Sequence, residues 1–219
     1  MRPADQAHES VQEVVASRLR EAILSGSFEG GRRLRQAEIA ARFGVSSIPV
    51  REAFRRLEGE GLVVFYPRRG AVVSELSPDE MREICEMREA LETLALQKAL
   101  PNMTNEDLHR AKEVLDLADK EPDDQLLPRW GEMNWEFHRA LYYPAGRPRL
   151  LGTINNLHIN FDRYLRLHFS AMRYREKGQQ EHREILERCK QRDAEGAAEA
   201  LRLHIQTVSE MLFGYLAGE

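Results

Sequence analysis

The sequence predicts a mainly α-helical chain: an N-terminal winged helix-turn-helix, three helices plus a β-hairpin wing, followed by an all-α antiparallel helical bundle. Three observations predict it. Short helical patterns near the N-terminus are punctuated by a glycine turn and followed by a strand–turn–strand pattern. From about Ser77 onward only helical periodicity recurs. Arginine is also concentrated early: between Arg32 and Arg69, nine arginines stand against Glu38, Glu52, Glu58 and Glu60, a surplus of five positive charges in a chain of net charge −4. The rest of the chain is correspondingly acidic. A compact basic segment beside an acidic body is the footprint of a DNA reader joined to a second function.

The 219 residues suffice for one large domain or two modest ones, and 42% hydrophobic with 31% charged residues supports both a core and a solvated surface. No run of about eighteen apolar residues occurs, so no transmembrane helix and no membrane partner are expected. The segment Met1 to Ser10 is polar, carries Asp5 and Glu9, and does not resemble a signal peptide. Residues 1–8 read as a disordered tail. Cys85 and Cys189 have no paired spacing and read as free thiols, consistent with a cytoplasmic protein.

Val11, Val14, Val15, Leu19, Ile23 and Leu24 recur at helical spacing, and the pattern ends near Ser25-Gly26-Ser27. Ala37 to Phe43 forms a short second helix closed by Gly44. Ser46 suits an N-cap and Pro49 a first helical turn, so a third helix runs to about Gly59 with Val50, Ala53, Phe54 and Leu57 inward. Leu62 to Tyr66 and Ala71 to Val73 read as strands joined by Pro67-Arg68-Arg69-Gly70. These elements define a DNA-binding unit over residues 9–76. After a short linker, Ser77-Pro78-Asp79-Glu80 starts the first of several helices spanning 79–219. Breaks fall near Pro101-Asn102, Glu121-Pro122-Asp123, Pro144-Ala145-Gly146 and Arg192-Asp193.

A tight turn at Gly44 before a helix bearing Arg51, Arg55 and Arg56 has helix-turn-helix geometry, with the second helix entering the major groove of duplex DNA. Ser46, Ser47 and Arg51 lie on its leading end, and Arg51 suits either guanine or phosphate. Arg68, Arg69 and Gly70 at the hairpin tip lie in or beside the adjacent minor groove. Arg32, Arg33 and Arg35 extend the basic surface. The segments Gly31-Arg32-Arg33-Leu34, Ile39-Ala40, Gly44 to Ala53, Arg56 to Val63 and Arg69 to Val73 together resemble the GntR family of bacterial transcriptional regulators. That resemblance implies a homodimer reading a pseudo-palindromic operator in the nucleoid. Such proteins usually carry a basic residue where this chain has Ser47, and often another where it has Ala37, so an atypical operator is expected.

In the second half, Asn134 and His138 share a helix face, while His182 and His204 belong to the last two helices. If they converge, one oxygen and three imidazoles suit a divalent zinc, nickel or manganese ion with open positions; helical histidines also serve as plain surface or core residues. Trp135-Glu136-Phe137-His138, Glu181-His182 with Ile185-Leu186, Asp193 with Ala197, Ala198 and His204, and Met87 to Glu92 resemble the FCD type of sensing domain found in the FadR subfamily. Metal-binding members have Asp where this chain has Asn134, which implies weaker or altered metal preference here. Their effectors are small carboxylates or sugar acids. The match nominates Arg88 as the effector's anchor, the alternative being a salt bridge to Glu92 one turn later. Asn155, Asn156, Arg163 and Tyr164, on a long helix from about Arg147 to Tyr174, could line the same cavity; Tyr142 and His158 are alternatives that read first as packing residues.

The expected function is a ligand-responsive DNA-binding regulator, a repressor by family habit, and not an enzyme. Two other readings compete with it. One is a metal-dependent enzyme, for which only Glu136 or Glu181 stands near enough to act as a base. The other is a DNA-binding protein with no ligand.

Overall fold

A computed structural model describes residues 10–122, 126, 129–172 and 175–217. The expected tail at 1–8, and the break and helix ends placed at Asp123 and Tyr174, lie outside the described residues. The chain divides into two units, Met1–Glu75 and Leu76–Glu219. Among the described residues, no helix is long and apolar enough to cross a membrane.

The first unit holds α1 (Val11–Leu24), α2 (Gln36–Phe43), α3 (Ser47–Gly59), β1 (Val63–Tyr66) and β2 (Gly70–Val73). Ser10 and Glu13 close a reciprocal capping box at the start of α1, which satisfies two amide donors that a helix start leaves unpaired. Gly44 ends α2 at φ 67°, the left-handed region that a residue with a Cβ disfavours, and this bend aims α3. Helix α3 buries Val50, Ala53, Phe54 and Leu57 against α1 and α2, so its opposite face is left to solvent. Strand β1 pairs antiparallel with β2, from Val63 opposite Val73 to Tyr66 opposite Gly70.

Three details depart from the sequence reading. Helix α2 starts at Gln36 rather than Ala37, and Gly70 rather than Ala71 opens β2 while Leu62 lies outside β1. Ser46 takes the N-cap position of α3, yet its hydroxyl makes no capping bond. The basic segment at Arg32–Leu34 also runs alongside the wing, with Leu34 N–H donating to the Ala71 carbonyl at 2.8 Å and Val73 N–H to the Arg32 carbonyl at 2.9 Å. Too short to show strand periodicity, this third extended segment ties the wing to the helices.

The second unit is helical: α4 (Pro78–Ala99), α5 (Asn105–Lys120), α6 (Trp130–Tyr142), α7 (Pro148–Met172), α8 (Arg175–Lys190) and α9 (Ala194–Ala217). The Ser77 side chain accepts from the Glu80 amide and Pro78 opens α4, as the Ser-Pro-Asp-Glu run requires. Helix α4 packs on α7 and α9, α5 on α6 and α8, and α8 on α9. One core cluster joins Leu96, Phe137, Leu141, Ile154, Leu186 and Leu201, drawn from five helices. Cys85 and Cys189 are free and buried, and burial pushes the Cys189 thiol up to about 12.

Candidate functional site

On the first unit, the solvent face of α3 carries Ser47, Ile48, Arg51 and Arg55, all exposed, at the spacing that places residues three and four apart side by side. Glu52 lies between the arginines, 3.5 Å from Arg51 Nε and 3.9 Å from Arg55 Nη1. The Gln36 side chain donates to the Ser47 carbonyl and pins the leading end of α3 to α2. Arg35 is exposed at the N-cap of α2, Arg33 is exposed beside β2, and Arg32 stacks 4.3 Å from the Phe28 ring centre. At the wing tip, Arg68 has φ 67° and Gly70 φ 75°, while the Arg69 guanidinium sits 5.8 Å from the Tyr66 ring centre. The predicted DNA-contacting residues are thus all exposed, on α3, on the segment preceding α2 and on the wing.

In the second unit, His138 of α6, His182 of α8 and His204 of α9 meet deep in the bundle, with candidate ligand atoms all within 4.8 Å of one another. The proton on each ring follows from its outer partner. His138 Nδ1 lies 3.0 Å from the Tyr142 hydroxyl, which donates its only proton to Glu92 Oε2 at 2.7 Å and so accepts from the imidazole. His204 Nδ1 lies 2.9 Å from Glu181 Oε2, an acceptor. His182 Nδ1 faces the Gln179 carbonyl oxygen at 3.4 Å, because the Gln179 amide nitrogen is turned to Leu115 O and Asp119 Oδ1.

Each Nδ1 therefore carries the hydrogen, and each Nε2 keeps a bare lone pair. His138 Nε2 is buried without a partner, and the Nε2 atoms of His182 and His204 face each other at 3.3 Å. Burial, reinforced by the neighbouring imidazoles, holds His138 and His182 well below the usual histidine range, so these two rings are neutral donors at ordinary pH. Two nitrogens bonded to one tetrahedral zinc stand about 3.3 Å apart. The donor set fits a divalent cation. Asn134, one turn before His138, lines a cavity of about 10 Å³ with Phe137, Gln179 and His182, room for one water-sized occupant.

Beside the imidazoles runs a buried ionic network. Arg88 Nε donates to Glu92 Oε1 at 2.7 Å, with side chains 1% and 0% exposed. His158 Nε2 lies 3.0 Å from the same oxygen. Burial alone would raise the Glu92 carboxyl; the Arg88 guanidinium and His158 overcome it and hold the group well below the usual carboxylate range. Arg88 also stacks 4.2 Å from the Phe161 ring centre, and its Nη1 is buried without a partner.

The salt bridge weighed as an alternative for Arg88 is therefore formed, and it still leaves one edge of the guanidinium unengaged. The reading of Tyr142 and His158 as packing residues is corrected: Tyr142 donates a hydrogen bond to Glu92, and His158 Nε2 lies 3.0 Å from the same carboxylate. Tyr164 instead holds the start of α4, through Ser77 and Glu80. Half-buried Asn155 shares the His158 face of α7, whereas Asn156 shares the face of buried Arg163, which the Glu80 carboxylate approaches. From sequence, Gln179 was not singled out, Glu92 entered only as a salt-bridge partner of Arg88, and Glu181 only as a candidate base for the enzyme reading. Their only signals were helical offsets and chain adjacency to Arg88 and His182.

A winged helix-turn-helix with a basic reading face, carried on the same chain as a helical unit with a polar buried centre, defines a DNA-binding transcriptional regulator. Residues 11–73 match the gntR family of bacterial regulatory proteins and residues 83–207 match the FCD domain, and the chain belongs to this GntR family with an FCD C-terminal domain. It is 31% identical to the transcriptional regulator BphR of Paraburkholderia xenovorans over 90% of this chain and 83% of that protein. It is 28% identical to the transcriptional repressor RspR of Escherichia coli, over 82% of this chain and 79% of that one. Among solved structures, Escherichia coli McbR/YncC superposes with a TM-score of 0.78 at 25% identity, covering 94% of this chain and 99% of that chain. These relatives are regulators, not enzymes.

Proposed function

We propose that this regulator is a homodimeric repressor whose operator affinity is set by a small carboxylate or sugar acid held beside a divalent ion in the helical unit. The observation that carries the sensing part is the convergence of three buried imidazoles, whose candidate ligand atoms lie within 4.8 Å of one another and whose Nδ1 atoms each face an outer partner. His138, His182 and His204 would hold the ion, with the Asn134 carbonyl oxygen as a fourth, uncharged donor. The ion supplies concentrated positive charge for an anionic ligand.

The chain's own residues do the rest. Tyr142, Gln179 and Glu181 lock the tautomers. Glu92 occupies one edge of Arg88 and leaves Nη1 to meet a carboxylate, the charge-assisted contact that guanidinium favours. A groove of about 500 Å³ between α8 and α9, which His204 and Glu181 help line, gives solvent a route to the cluster. An acid that binds one arrangement of the dimer's heads more tightly shifts operator occupancy by that difference. Repression is supported by the similarity to RspR, a transcriptional repressor.

The test is a thermal-shift panel of small organic acids on chelator-treated and metal-reloaded protein, followed by duplex binding with each hit. Hits that require metal, vanish in His138→Ala and alter DNA affinity support the proposal. Hits independent of metal sink the coordination component, and a monomer by light scattering sinks the dimeric reading.

A further inference from the structure

Ile48 is 62% exposed, the most exposed large apolar side chain among the described residues. It stands on the solvent face of α3, one turn before Arg51 and two before Arg55, with Ser46 and Ser47 just ahead of it. Helix α3 has a complete apolar face without it: Val50, Ala53, Phe54 and Leu57 are all buried, so Ile48 is not a core residue displaced by misfit. The backbone beneath it is held, because Gln36 donates to the Ser47 carbonyl. A rigidly placed aliphatic group therefore projects from the leading end of the reading helix, where the neighbouring side chains are hydroxyls and guanidinium groups.

We infer that Ile48 is a specificity-determining residue that reads the 5-methyl group of a thymine in each operator half-site. The edges that bases present in the major groove are hydrogen-bond donors and acceptors, with one apolar exception, the thymine methyl. An isoleucine cannot satisfy the polar edges, and set against one it would leave a donor or acceptor dehydrated and unpaired. Against thymine it buries two apolar surfaces at once. The absence of a basic side chain at Ser47 fits the same picture: the leading edge discriminates by shape and methyl contact, and Arg51 and Arg55 lie further along the helix. Burying one methyl in this way is worth a factor of roughly four in affinity.

The inference rests on α3 being the DNA-reading helix, and the experiment separates the two. Duplexes are selected from a randomised pool with the full-length protein, and the winning sequence is remade with deoxyuridine at each thymine in turn, which removes only the methyl. The expected result is a loss of roughly fourfold at one thymine per half-site. Ile48→Ala should bind thymine and uracil versions equally, near the level of the wild-type protein on a duplex carrying uracil in both half-sites. Its thermal unfolding should be little changed, since the side chain is mostly exposed and lies outside the buried face of α3. Indifference of the wild-type protein to every uracil substitution would overturn the inference, as would an equal uracil penalty in both proteins. Failure to enrich any duplex would instead overturn the DNA-reading assignment of α3 itself.

Discussion

At His204 the contact that would matter to the proposed ion lies on the far side of the ring, where Glu181 Oε2 stands 2.9 Å from Nδ1. Outer partners of this kind orient an imidazole and raise its basicity, and losing one typically weakens metal binding about 10- to 100-fold. Glu181→Ala is therefore expected to weaken zinc or nickel binding about tenfold or more by calorimetry, with the metal-free unfolding midpoint little changed. An unaltered affinity would show that Glu181 does not orient the ring. Glu92 has a different job, because it neutralises a guanidinium buried with it. Removing one partner of such a pair leaves an uncompensated charge, so Glu92→Ala should cost about 3–5 kcal/mol in urea unfolding. The double variant Arg88→Met, Glu92→Leu should recover most of that. If the single variant is as stable as the parent, the pair is not holding the core.

Among the elements, α6 and α7 approach so closely that Gly131 has no room for a side chain: a Cβ there would meet the Asp162 carboxylate, which pairs with Arg166 Nε at 2.7 Å. Gly131→Ala must displace the Asp162 carboxylate and disturb its pairing with Arg166, at about 1–3 kcal/mol. Gly152, exposed on α7 with nothing near its would-be Cβ, gives the opposite expectation. There alanine removes backbone freedom from the unfolded chain and should stabilise by up to about 1 kcal/mol. Paired denaturation curves check both signs, and matching shifts in the same direction would contradict the packing argument.

Over the whole molecule, the buried imidazoles link stability to pH. His138, His158 and His182 are held below the ordinary histidine value chiefly by burial, whereas in the unfolded chain they titrate near 6.5. Below about pH 6.5 the unfolded chain thus binds more protons than the folded one, and stability falls as pH falls. Glu92 acts in the same direction in a lower window. Its folded value is depressed, so its contribution is present above the usual carboxylate value near 4.5 and is lost in more acidic solution. Chelator-treated protein should lose urea resistance steadily from pH 7 to pH 5 and more steeply below 4.5. A flat profile between 7 and 5 would mean the imidazoles are not buried neutral.

The sequence by itself determined the three helices and wing of the first unit, because their signals are local. Val50, Ala53, Phe54 and Leu57 repeat at helical spacing, Gly44 supplies the left-handed turn, and strand alternation flanks Arg68 and Arg69. It also marked His138, His182 and His204, though not whether they meet. That was decided by tertiary structure alone, since convergence requires α6, α8 and α9 to turn those particular faces toward one centre, and periodicity says which residues share a face but not which faces meet. His158 and Tyr142 were read as packing, and the Arg88–Glu92 bridge could be named but not placed, for the same reason: a carboxylate four residues from an arginine looks identical on a solvated surface and in a dry core. Only packing removes the water, and it is the loss of water that turns a common surface pair into the ionic centre of this domain.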